Sequence, residues 1–351
     1  MILLETKAIQ TMIKKMGLSA FYLRLCDNLT EDFKNWHRFQ KCNRNAMYVD
    51  NGVIELMPIC NDELYSFKYV NGHPLNPKQN KLNIIAIGML ADVATGYPLM
   101  LAAMTVLTAI RTAAASALSS RYLAKATSKK VAIIGCGAQS EFQILAHHAL
   151  FNLSEVRYFD IDPDAMNRFK HNLQSESFNL VPATSCLAAI TDADIIITTT
   201  AAVGKHKVLE LSWLKPGQHI CGIGGDSPGK TELDPEILKH AKVVVEYFPQ
   251  THHEGEIQNL GPHAADFVHA EFWEVISGTK SGRTDANEIT VFDAVGFALE
   301  DFSVLRLCYE LSKEFHLGRS VDFVPYSLDD CKDLYGLFVR EPNEASSEKC
   351  G

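Results

Sequence analysis

The spacing of apolar and polar residues changes along the chain, and each spacing predicts a different kind of structure. Residues 8–40 have the apolar spacing of one or two amphipathic helices. Three alternating runs follow and predict strands of an antiparallel sheet: 52–57, 64–70 and 83–90. Residues 105–124 are rich in alanine and predict a helix. The first third of the chain is therefore expected to form a mixed unit of helices and sheet.

From residue 130 onward, short apolar runs alternate with helical segments. The runs predict buried parallel strands at 131–134, 155–160, 193–200, 219–225, 242–247 and 288–293. Asp162-Pro163 and Asp234-Pro235 mark the beginnings of two intervening helices, with proline at the first helical position. Strands and helices in alternation are typical of a doubly wound α/β domain.

The stretch from Lys130 to Phe142 combines a buried strand, a glycine turn and the start of a helix. Gly135 and Gly137 allow the backbone to turn tightly and to approach a pyrophosphate without an intervening Cβ. The predicted helix at 138–150 would direct its first free N–H groups at the phosphates. Ser140 stands at the third glycine position of this nucleotide-binding fingerprint.

Asp160 ends the next predicted strand, 160 − 137 = 23 residues after the second glycine. A carboxylate about 20 residues on binds the ribose 2′-hydroxyl and repels a 2′-phosphate, so NAD is favoured over NADP. A loop aspartate that precedes the helix at Asp162-Pro163 is the alternative interpretation. We predict a Rossmann-type, doubly wound NAD-binding domain at 125–310, and a smaller α+β domain formed by 1–124 together with 311–351.

Composition limits the classes of partner. The 351 residues include 42 acidic and 33 basic side chains, for a net charge of −9, so neither nucleic acid nor a membrane surface is expected as a partner. Nine cysteines occur without a Cys-x-x-Cys pair, and the histidines show no metal spacing, so we expect no metal and a reducing compartment. The N-terminus lacks a signal-peptide pattern, and the apolar run at 97–110 is too short for a bilayer. A cytoplasmic protein with a small-molecule substrate is expected.

Three cations lie in segments that are otherwise predicted to be buried or to border a strand. Arg44 precedes a strand, Lys68 lies inside one, and Arg111 lies in the alanine-rich helix. A buried cation is costly unless an anion meets it, and a substrate carboxylate would do so. Structural ion pairs, for instance with Glu55 or Asp92, are the alternative for each cation.

The loop at 224–230 (Gly-Gly-Asp-Ser-Pro-Gly-Lys) follows a predicted strand of the nucleotide domain. Loops at the carboxyl ends of parallel strands face the ligand crevice, so Asp226 is expected to point into the cleft. A carboxylate there could move protons on and off an amine beside the nicotinamide. A turn aspartate between glycines is the alternative interpretation.

The sequence resembles the ornithine cyclodeaminase/μ-crystallin family over nearly its whole length. Matching stretches occur in order at 52–58, 67–74 (Phe-Lys-Tyr-Val-Asn-Gly-His-Pro), 90–93, 96–98, 111–113, 137–143 (Gly-Ala-Gln-Ser-Glu-Phe-Gln), 224–233, 246–247, 254–258 and 290–301. Because the stretches span both predicted domains, the resemblance is more specific than the glycine fingerprint.

The resemblance implies roles for individual residues. Arg44, Lys68 and Arg111 would hold the substrate α-carboxylate, with Glu55 near an amino group. Asp226 would be the acid/base residue, and it is predicted to be catalytic together with Lys68 and Arg111. The predicted cofactor-binding residues are Asn83, Arg111, Thr112, Gly135, Gly137, Ala138, Gln139, Asp160, Thr200, Lys230 and Asp293. A homodimer built on the first sheet is implied as well, so the smaller domain would serve substrate binding and dimerisation.

The implied activity converts L-ornithine to L-proline and ammonia. A hydride leaves Cα for NAD⁺, the δ-amine closes the ring on the iminium, ammonia departs and the hydride returns. Asn83 stands where the family usually has threonine, and Ala294 where it has serine, so cyclisation of lysine to pipecolate stays open. Two further alternatives are an NAD(P)-dependent imine reductase or amino-acid dehydrogenase of the family, and a non-catalytic binding protein like μ-crystallin.

Overall fold

The computed structural model describes residues 1–200, 204–325 and 331–339. The elements up to residue 123 are β1 (Ile2–Leu4), α1 (Thr6–Met16), α2 (Leu18–Lys34), β2 (Gln40–Lys41), β3 (Asn45–Val49), β4 (Gly52–Cys60), β5 (Leu64–Gly72), β6 (Ala86–Asp92), β7 (Pro98–Ala103) and α3 (Thr105–Leu123). The later elements are β8 (Lys130–Ile134), α4 (Ser140–Phe151), β9 (Glu155–Phe159), α5 (Pro163–Leu173), β10 (Asn179–Pro182), α6 (Cys186–Ile190), β11 (Ile195–Thr198), β12 (Lys205–Leu209), β13 (His219–Gly222), β14 (Thr231–Leu233), α7 (Pro235–His240), β15 (Lys242–Val245), α8 (Phe248–Glu254), α9 (Ala264–Phe267), β16 (Val268–Glu271), α10 (Phe272–Ser277), β17 (Thr290–Asp293), α11 (Ala298–Glu314), β18 (Arg319–Ser320) and α12 (Gly336–Val339).

The first sheet has eight strands in the order β18-β1-β7-β6-β5-β4-β2, with β3 paired to β4. Its pairings from β2 to β7 are antiparallel, as the alternating runs predict. The strand predicted at 83–90 begins instead at Ala86, because the side-chain oxygen of Asn71 accepts the N–H of Ile85 and ends the regular ladder there. β18 pairs with β1, so the segment after residue 310 returns to this sheet.

The second sheet consists of eight parallel strands in the order β10-β9-β8-β11-β13-β17-β15-β16. β8 has β9 on one side and β11 on the other, so the strand order reverses at β8. The glycine loop leaves the carboxyl end of this strand. In open α/β sheets, ligands bind in the crevice at such a reversal point. The predicted α/β fold class, with a doubly wound parallel sheet, is confirmed.

Two helices contact both parts of the molecule. α3 packs against β6 of the first sheet and against β13 and β17 of the second, where its buried alanines and serines permit close approach. α11 follows β17 and packs on β4, β5 and β6. The predicted domain boundary at 310 falls inside α11, and the division of the chain stays a prediction. The polar end expected at 344–351 lies outside the described residues. In the part of the chain that the structure describes, no helix has the length and apolarity needed to cross a membrane.

A chain of polar side chains lies buried between α3, α4 and the second sheet. Ser120 Oγ lies 3.0 Å from His147 Nε2 and 3.4 Å from Cys221 Sγ. His219 Nε2 lies 3.3 Å from the same sulfur, and His219 Nδ1 lies 2.9 Å from Thr290 Oγ1. Burial lowers the pKa of His147 to about 4 and that of His219 well below its usual value. Both histidines are therefore neutral at pH 7.

Replacing His147 with glutamine is predicted to reduce the pH dependence of stability. His147 binds its proton near pH 4 in the folded protein but near pH 6.5 in the unfolded chain, so lowering the pH between these values favours unfolding. Between pH 6.5 and pH 4, the unfolding free energy of His147→Gln should fall less steeply with decreasing pH than that of the wild type. The difference in slope should be up to about 1.4 kcal/mol per pH unit. Urea unfolding at several pH values measures the slope. The exposed His240→Gln is the control, and an unchanged slope in His147→Gln would contradict the prediction.

Candidate active site

Lys68 and Arg111 form a buried ion-pair group with the start of α11. Lys68 Nζ lies 2.9 Å from Oδ1 and 2.8 Å from Oδ2 of Asp301. Arg111 Nη1 lies 2.5 Å from Glu300 Oε2, and Arg111 Nε lies 3.0 Å from Asp301 Oδ1. Both cations thus have carboxylate partners in the protein. The partners are on α11, so Asp92, which the sequence had suggested, was the wrong choice of partner.

Three carboxyls surround these two cations, since the charge of Glu246 also acts on Arg111. Burial, and then the neighbouring carboxyl of Glu246, raises the pKa of Glu300 well above its usual value, although the positive charge of Arg111 opposes the rise. Burial, and then the positive charge of Arg111, lowers the pKa of Lys68 to about 8, although Asp301 opposes the change. Lys68 and Arg111 both pair with the carboxylate of Asp301. We call these two cations the anchor pair, because the resemblance implies that they hold an anionic group of the substrate.

Arg44 lies among acidic side chains. Its Nη1 is 3.2 Å from Oε1 and from Oε2 of Glu55, and its Nε is 3.1 Å from Glu254 Oε2. Its Nη2 donates to the carbonyl oxygens of Val295 (2.7 Å) and Gly296 (2.8 Å). The side chains of Arg44 and Glu254 are both 9% exposed and that of Glu55 is 11% exposed. The ion pair between Arg44 and Glu55, which the sequence offered as an alternative, is present.

Gly296 connects the two groups. Its φ of +80° is in the left-handed region, and a Cβ there would lie 2.5 Å from Arg111 Nη1. Glu246 Oε2 accepts the N–H groups of Val295 (2.9 Å) and Gly296 (2.7 Å) and holds this turn in place. The turn therefore directs its carbonyl oxygens at Arg44 while it packs against the guanidinium of Arg111.

Asp226 lies in the glycine-rich loop that follows β13. Lys230 Nζ donates to Asp226 Oδ1 over 2.9 Å, and the Asp226 side chain is 45% exposed. The N–H of Gly224 donates to Glu232 Oε2 over 3.0 Å, and a Cβ at Gly224 would collide with that carboxylate. The loop thus has a fixed base, while the Asp226 carboxylate is accessible.

Burial raises the pKa of Glu254 to about 7; Arg44 opposes the rise, and the negative charges of Glu55 and Asp226 add to it. These electrostatic effects require Asp226 and Glu55 to lie near Glu254. We call Glu55, Glu254 and Asp226, arranged around Arg44, the acidic group. Positive charge at Arg44 also contributes to the lowered pKa of Lys68, after burial and Arg111, so the acidic group and the anchor pair are neighbours.

The glycine loop after β8 has the features that a dinucleotide requires. Gly135 has a φ of +98°, and a Cβ there would lie 2.7 Å from the carbonyl carbon and oxygen of Thr199. Among the described residues, no atom lies within 4 Å of a Cβ built on Gly137, so the space before it is open. Within the same residues, Gln139 provides no side-chain cap for α4. Uncapped N–H groups at a helix N-terminus suit phosphate oxygens, so this loop fits a pyrophosphate.

Asp160 stands directly after β9, beside the glycine loop. Its Oδ2 accepts the N–H of Cys136 over 2.7 Å, and its Oδ1 accepts the N–H of Asp162 over 2.9 Å. Arg168 Nη2 donates to the carbonyl oxygen of Cys136 over 2.6 Å. The N–H and the carbonyl oxygen of Cys136, inside the loop, are therefore both held by side chains, one directly after β9 and one from α5.

The other predicted cofactor residues have varied surroundings. Thr200 donates from Oγ1 (2.5 Å) and from N (2.6 Å) to Glu232 Oε1. Asp293 is fully buried and accepts the N–H groups of Glu256 (2.8 Å) and of the next residue (2.9 Å). Asn83 Oδ1 is buried and has no hydrogen-bond partner within the described ranges. Thr112 is half-buried and Ala138 is exposed. Cofactor contacts of all these residues stay predictions.

Several carboxylates of the site were missed from the sequence: Glu246, Glu254, Glu300 and Asp301. Each lies in a stretch that resembled the family, but only the cations were recognised as out of place in buried segments. Asp301 is 233 residues away from Lys68 in the chain, so no local pattern joins them. The available signal was an acidic pair, Glu300-Asp301, directly after an apolar run.

The sequence model of one protein family matches this chain from residue 6 to residue 315. The chain belongs to the ornithine cyclodeaminase/mu-crystallin family. It is 44% identical to the ornithine cyclodeaminase of Brucella melitensis over 337 residues, which is 96% of this chain and 93% of that relative.

Two solved structures of the family have the same fold. A lysine cyclodeaminase, described as recognising L-lysine, L-ornithine and L-2,4-diaminobutyric acid, superimposes with a TM-score of 0.87 at 29% identity, over 96% of this chain and 99% of that one. An archaeal alanine dehydrogenase dimer with bound NAD gives a TM-score of 0.85 at 30% identity, over 92% and 99%. The predictions of the family, of an enzyme and of NAD as its cofactor are confirmed.

Replacing Gly296 with alanine is predicted to impair the site beyond its effect on stability. A Cβ at Gly296 would displace the guanidinium of Arg111, whereas Gly278, with a φ of +78°, has no atom within 4 Å of its Cβ among the described residues. Both alanine variants should lose about 1 kcal/mol of unfolding free energy, because each forces a left-handed backbone on alanine. Only Gly296→Ala should lower kcat/KM, by at least about tenfold. Denaturant unfolding and steady-state kinetics measure both quantities, and equal kinetic effects of the two variants would contradict the prediction.

Proposed function

We propose that this protein is an ornithine cyclodeaminase, which converts L-ornithine to L-proline and ammonia. The observation that carries the proposal is a pair of buried cations, Lys68 and Arg111, with a neighbouring arginine, Arg44, that also interacts with the charge of Asp226. Two buried cations suit an α-carboxylate, and a half-exposed carboxylate within range of Arg44 suits a proton shuttle. The 44% identity to an ornithine cyclodeaminase supports this substrate.

The anchor pair would orient the substrate. Lys68 and the guanidinium of Arg111 would donate to the α-carboxylate, and both are already held by Asp301 before the substrate arrives. Charge-assisted hydrogen bonds of this kind are short and directional, so they fix the direction of Cα. NAD, when bound, accepts a hydride from Cα and returns it to the cyclic imine, so the reaction has no net redox change. The glycine loop and Asp160 would hold this cofactor at the end of β8.

Asp226 would move protons. Its carboxylate would take a proton from the δ-ammonium group, which makes the amine a nucleophile, and would return a proton to the nitrogen that departs as ammonia. Lys230, 2.9 Å away, would hold the Asp226 side chain in position during these steps.

Lysine cyclodeamination is the second candidate. It is supported by the likeness to a lysine cyclodeaminase and by the unpartnered oxygen of Asn83, at a position where the family usually has threonine. A net dehydrogenase is the third candidate, in view of the likeness to an alanine dehydrogenase. An alanine dehydrogenase acts on an amino acid with one amine and does not need a group that binds a second one. The acidic group therefore favours a cyclodeaminase.

We propose that the enzyme is a homodimer formed through the outer face of the first sheet. In the pairing of β4, β5 and β6, Leu56 lies opposite Tyr69, and Tyr69 lies opposite Ile87. These three side chains therefore lie on the same face of the sheet, which is directed away from Lys68. Exposed apolar residues on this face are Met47, Val49, Leu56, Ile85 and Ile87. An apolar patch of this kind is typical of a protein interface, and a second copy can bring a matching patch.

We further propose a cytoplasmic location and a role in making proline from ornithine derived from arginine. The location is supported by cysteines that are all free among the described residues, as a reducing compartment would keep them. The metabolic role depends on the proposed reaction.

Purified protein given L-ornithine and a small amount of NAD⁺ is predicted to form equal amounts of ammonia and proline without accumulating NADH. Asp226→Asn should lower kcat by at least about 100-fold, because the amide cannot take the proton, while NAD affinity stays nearly unchanged. Coupled assays of ammonia and proline, with absorbance at the NADH band, measure the reaction. The exposed Asp266→Asn is the control. Stoichiometric NADH would identify a dehydrogenase instead, and full activity of Asp226→Asn would remove this residue from its role.

Replacing Ile87 with glutamate is predicted to separate the dimer. The substitution places a charge in the middle of the proposed interface, where it would be buried without a partner. Light scattering after size exclusion should give the mass of two chains for the wild type and of one chain for the variant. Leu23→Glu changes an exposed apolar residue of α2 and should leave the dimer intact. A wild type with the mass of one chain would refute the interface.

A further inference from the structure

Glu254 is a buried carboxylate whose presence the anchor pair and the proton shuttle do not explain. It is the last residue of α8, and its side chain is 9% exposed. Its Oε2 lies 3.1 Å from Arg44 Nε, but the two groups are not aligned for a hydrogen bond. Neither atom has a hydrogen-bond partner elsewhere in the part of the chain that the structure describes. The ion pair with Arg44 therefore leaves Glu254 Oε2 without a hydrogen bond, and a buried carboxylate oxygen in this state can accept one from a ligand.

The charges around Glu254 favour a cation as this further donor. The acidic group contributes three carboxylates, and Arg44 together with Lys230 contributes two positive charges. With all three carboxylates ionised, one negative charge is left over. The raised pKa of Glu254, which results first from burial and then from Glu55 and Asp226 against the effect of Arg44, agrees with this imbalance.

The neighbouring anchor pair consists instead of two buried cations, Lys68 and Arg111, which both pair with Asp301. A ligand that complements both groups has an anionic end and a separate cationic end. An amino acid with a second amine fits this description, since its α-carboxylate and its distal ammonium group lie at opposite ends of the molecule. A monoamino acid would leave the acidic group uncompensated.

Building on the proposed function, we propose that Glu254, together with Glu55, receives the distal ammonium group of the substrate and selects diamino acids over monoamino acids. The Oε2 of Glu254 gains the donor that it lacks, while Arg44 keeps its bonds to Glu55, Val295 and Gly296. Asp226, which is more exposed, remains free to take the proton before ring closure. Glu254 is thus a specificity-determining residue, and it is distinct from the proton shuttle.

The test compares two ligands of equal length. L-Norvaline has the carbon chain of L-ornithine without the δ-amine, and the NADH-loaded enzyme binds both without oxidising either. By titration calorimetry, the wild type should bind L-ornithine at least about 100-fold more tightly, because a site with a buried polar group rejects an analogue that cannot pair with it. Glu254→Gln should reduce this ratio at least about tenfold through loss of ornithine affinity, with norvaline affinity unchanged. The exposed Glu236→Gln should keep the wild-type ratio.

Glu254→Asp provides a second variant, because it keeps the negative charge but shortens the side chain by one methylene group. It should retain more of the discrimination than Glu254→Gln does. If both variants lost affinity equally for L-ornithine and L-norvaline, Glu254 would only position Arg44 and the proposal would fail. Equal affinity of the wild type for the two ligands would also overturn it. A wild type that discriminates as expected but forms no proline would refute the proposed reaction and leave the role of Glu254 supported.

Discussion

The pairing of Lys68 and Arg111 with the first turn of α11 is the interaction on which the rest of the structure depends. Lys68 comes from the first sheet, Arg111 from α3, and Glu300 with Asp301 from a helix that follows the second sheet. Each cation would be expensive to bury alone, so three elements that are distant in sequence must meet for any of them to be tolerated. The ion-pair group therefore joins the two sheets and builds the site in the same step.

The anchor pair and the acidic group are both formed by the folded chain itself. Lys68 and Arg111 are two buried cations that pair with Asp301, and burial raises the pKa of the neighbouring Glu300 well above its usual value. The acidic group gathers three carboxylates around Arg44. In our proposal, these two adjoining sites act together on a molecule that carries charges of both signs, and both are in place before that molecule binds.

Much of the fold was predictable because local patterns encode it. The Val and Ile runs of β8 and β11, the glycines after β8 and the proline-marked helices all have a spacing that depends only on neighbours in sequence. The cations of the site were also found, since Lys68 and Arg111 interrupt buried segments. Their partners were not, because Asp301 lies 233 residues from Lys68 and Glu300 lies 189 residues from Arg111. The delayed start of β6 was missed because it results from a side-chain bond of Asn71 to a distant backbone group.

The position of α3 across both sheets has a mechanical consequence. This one helix carries Arg111 and packs on β13 and β17, the first of which leads into the loop of Asp226. A single helix of 19 residues thereby sets the separation between Arg111, the proposed substrate-binding cation, and the strands that lead to the predicted cofactor crevice. That separation is established when the chain folds, because Arg111 and the contacts with both strands belong to the same helix.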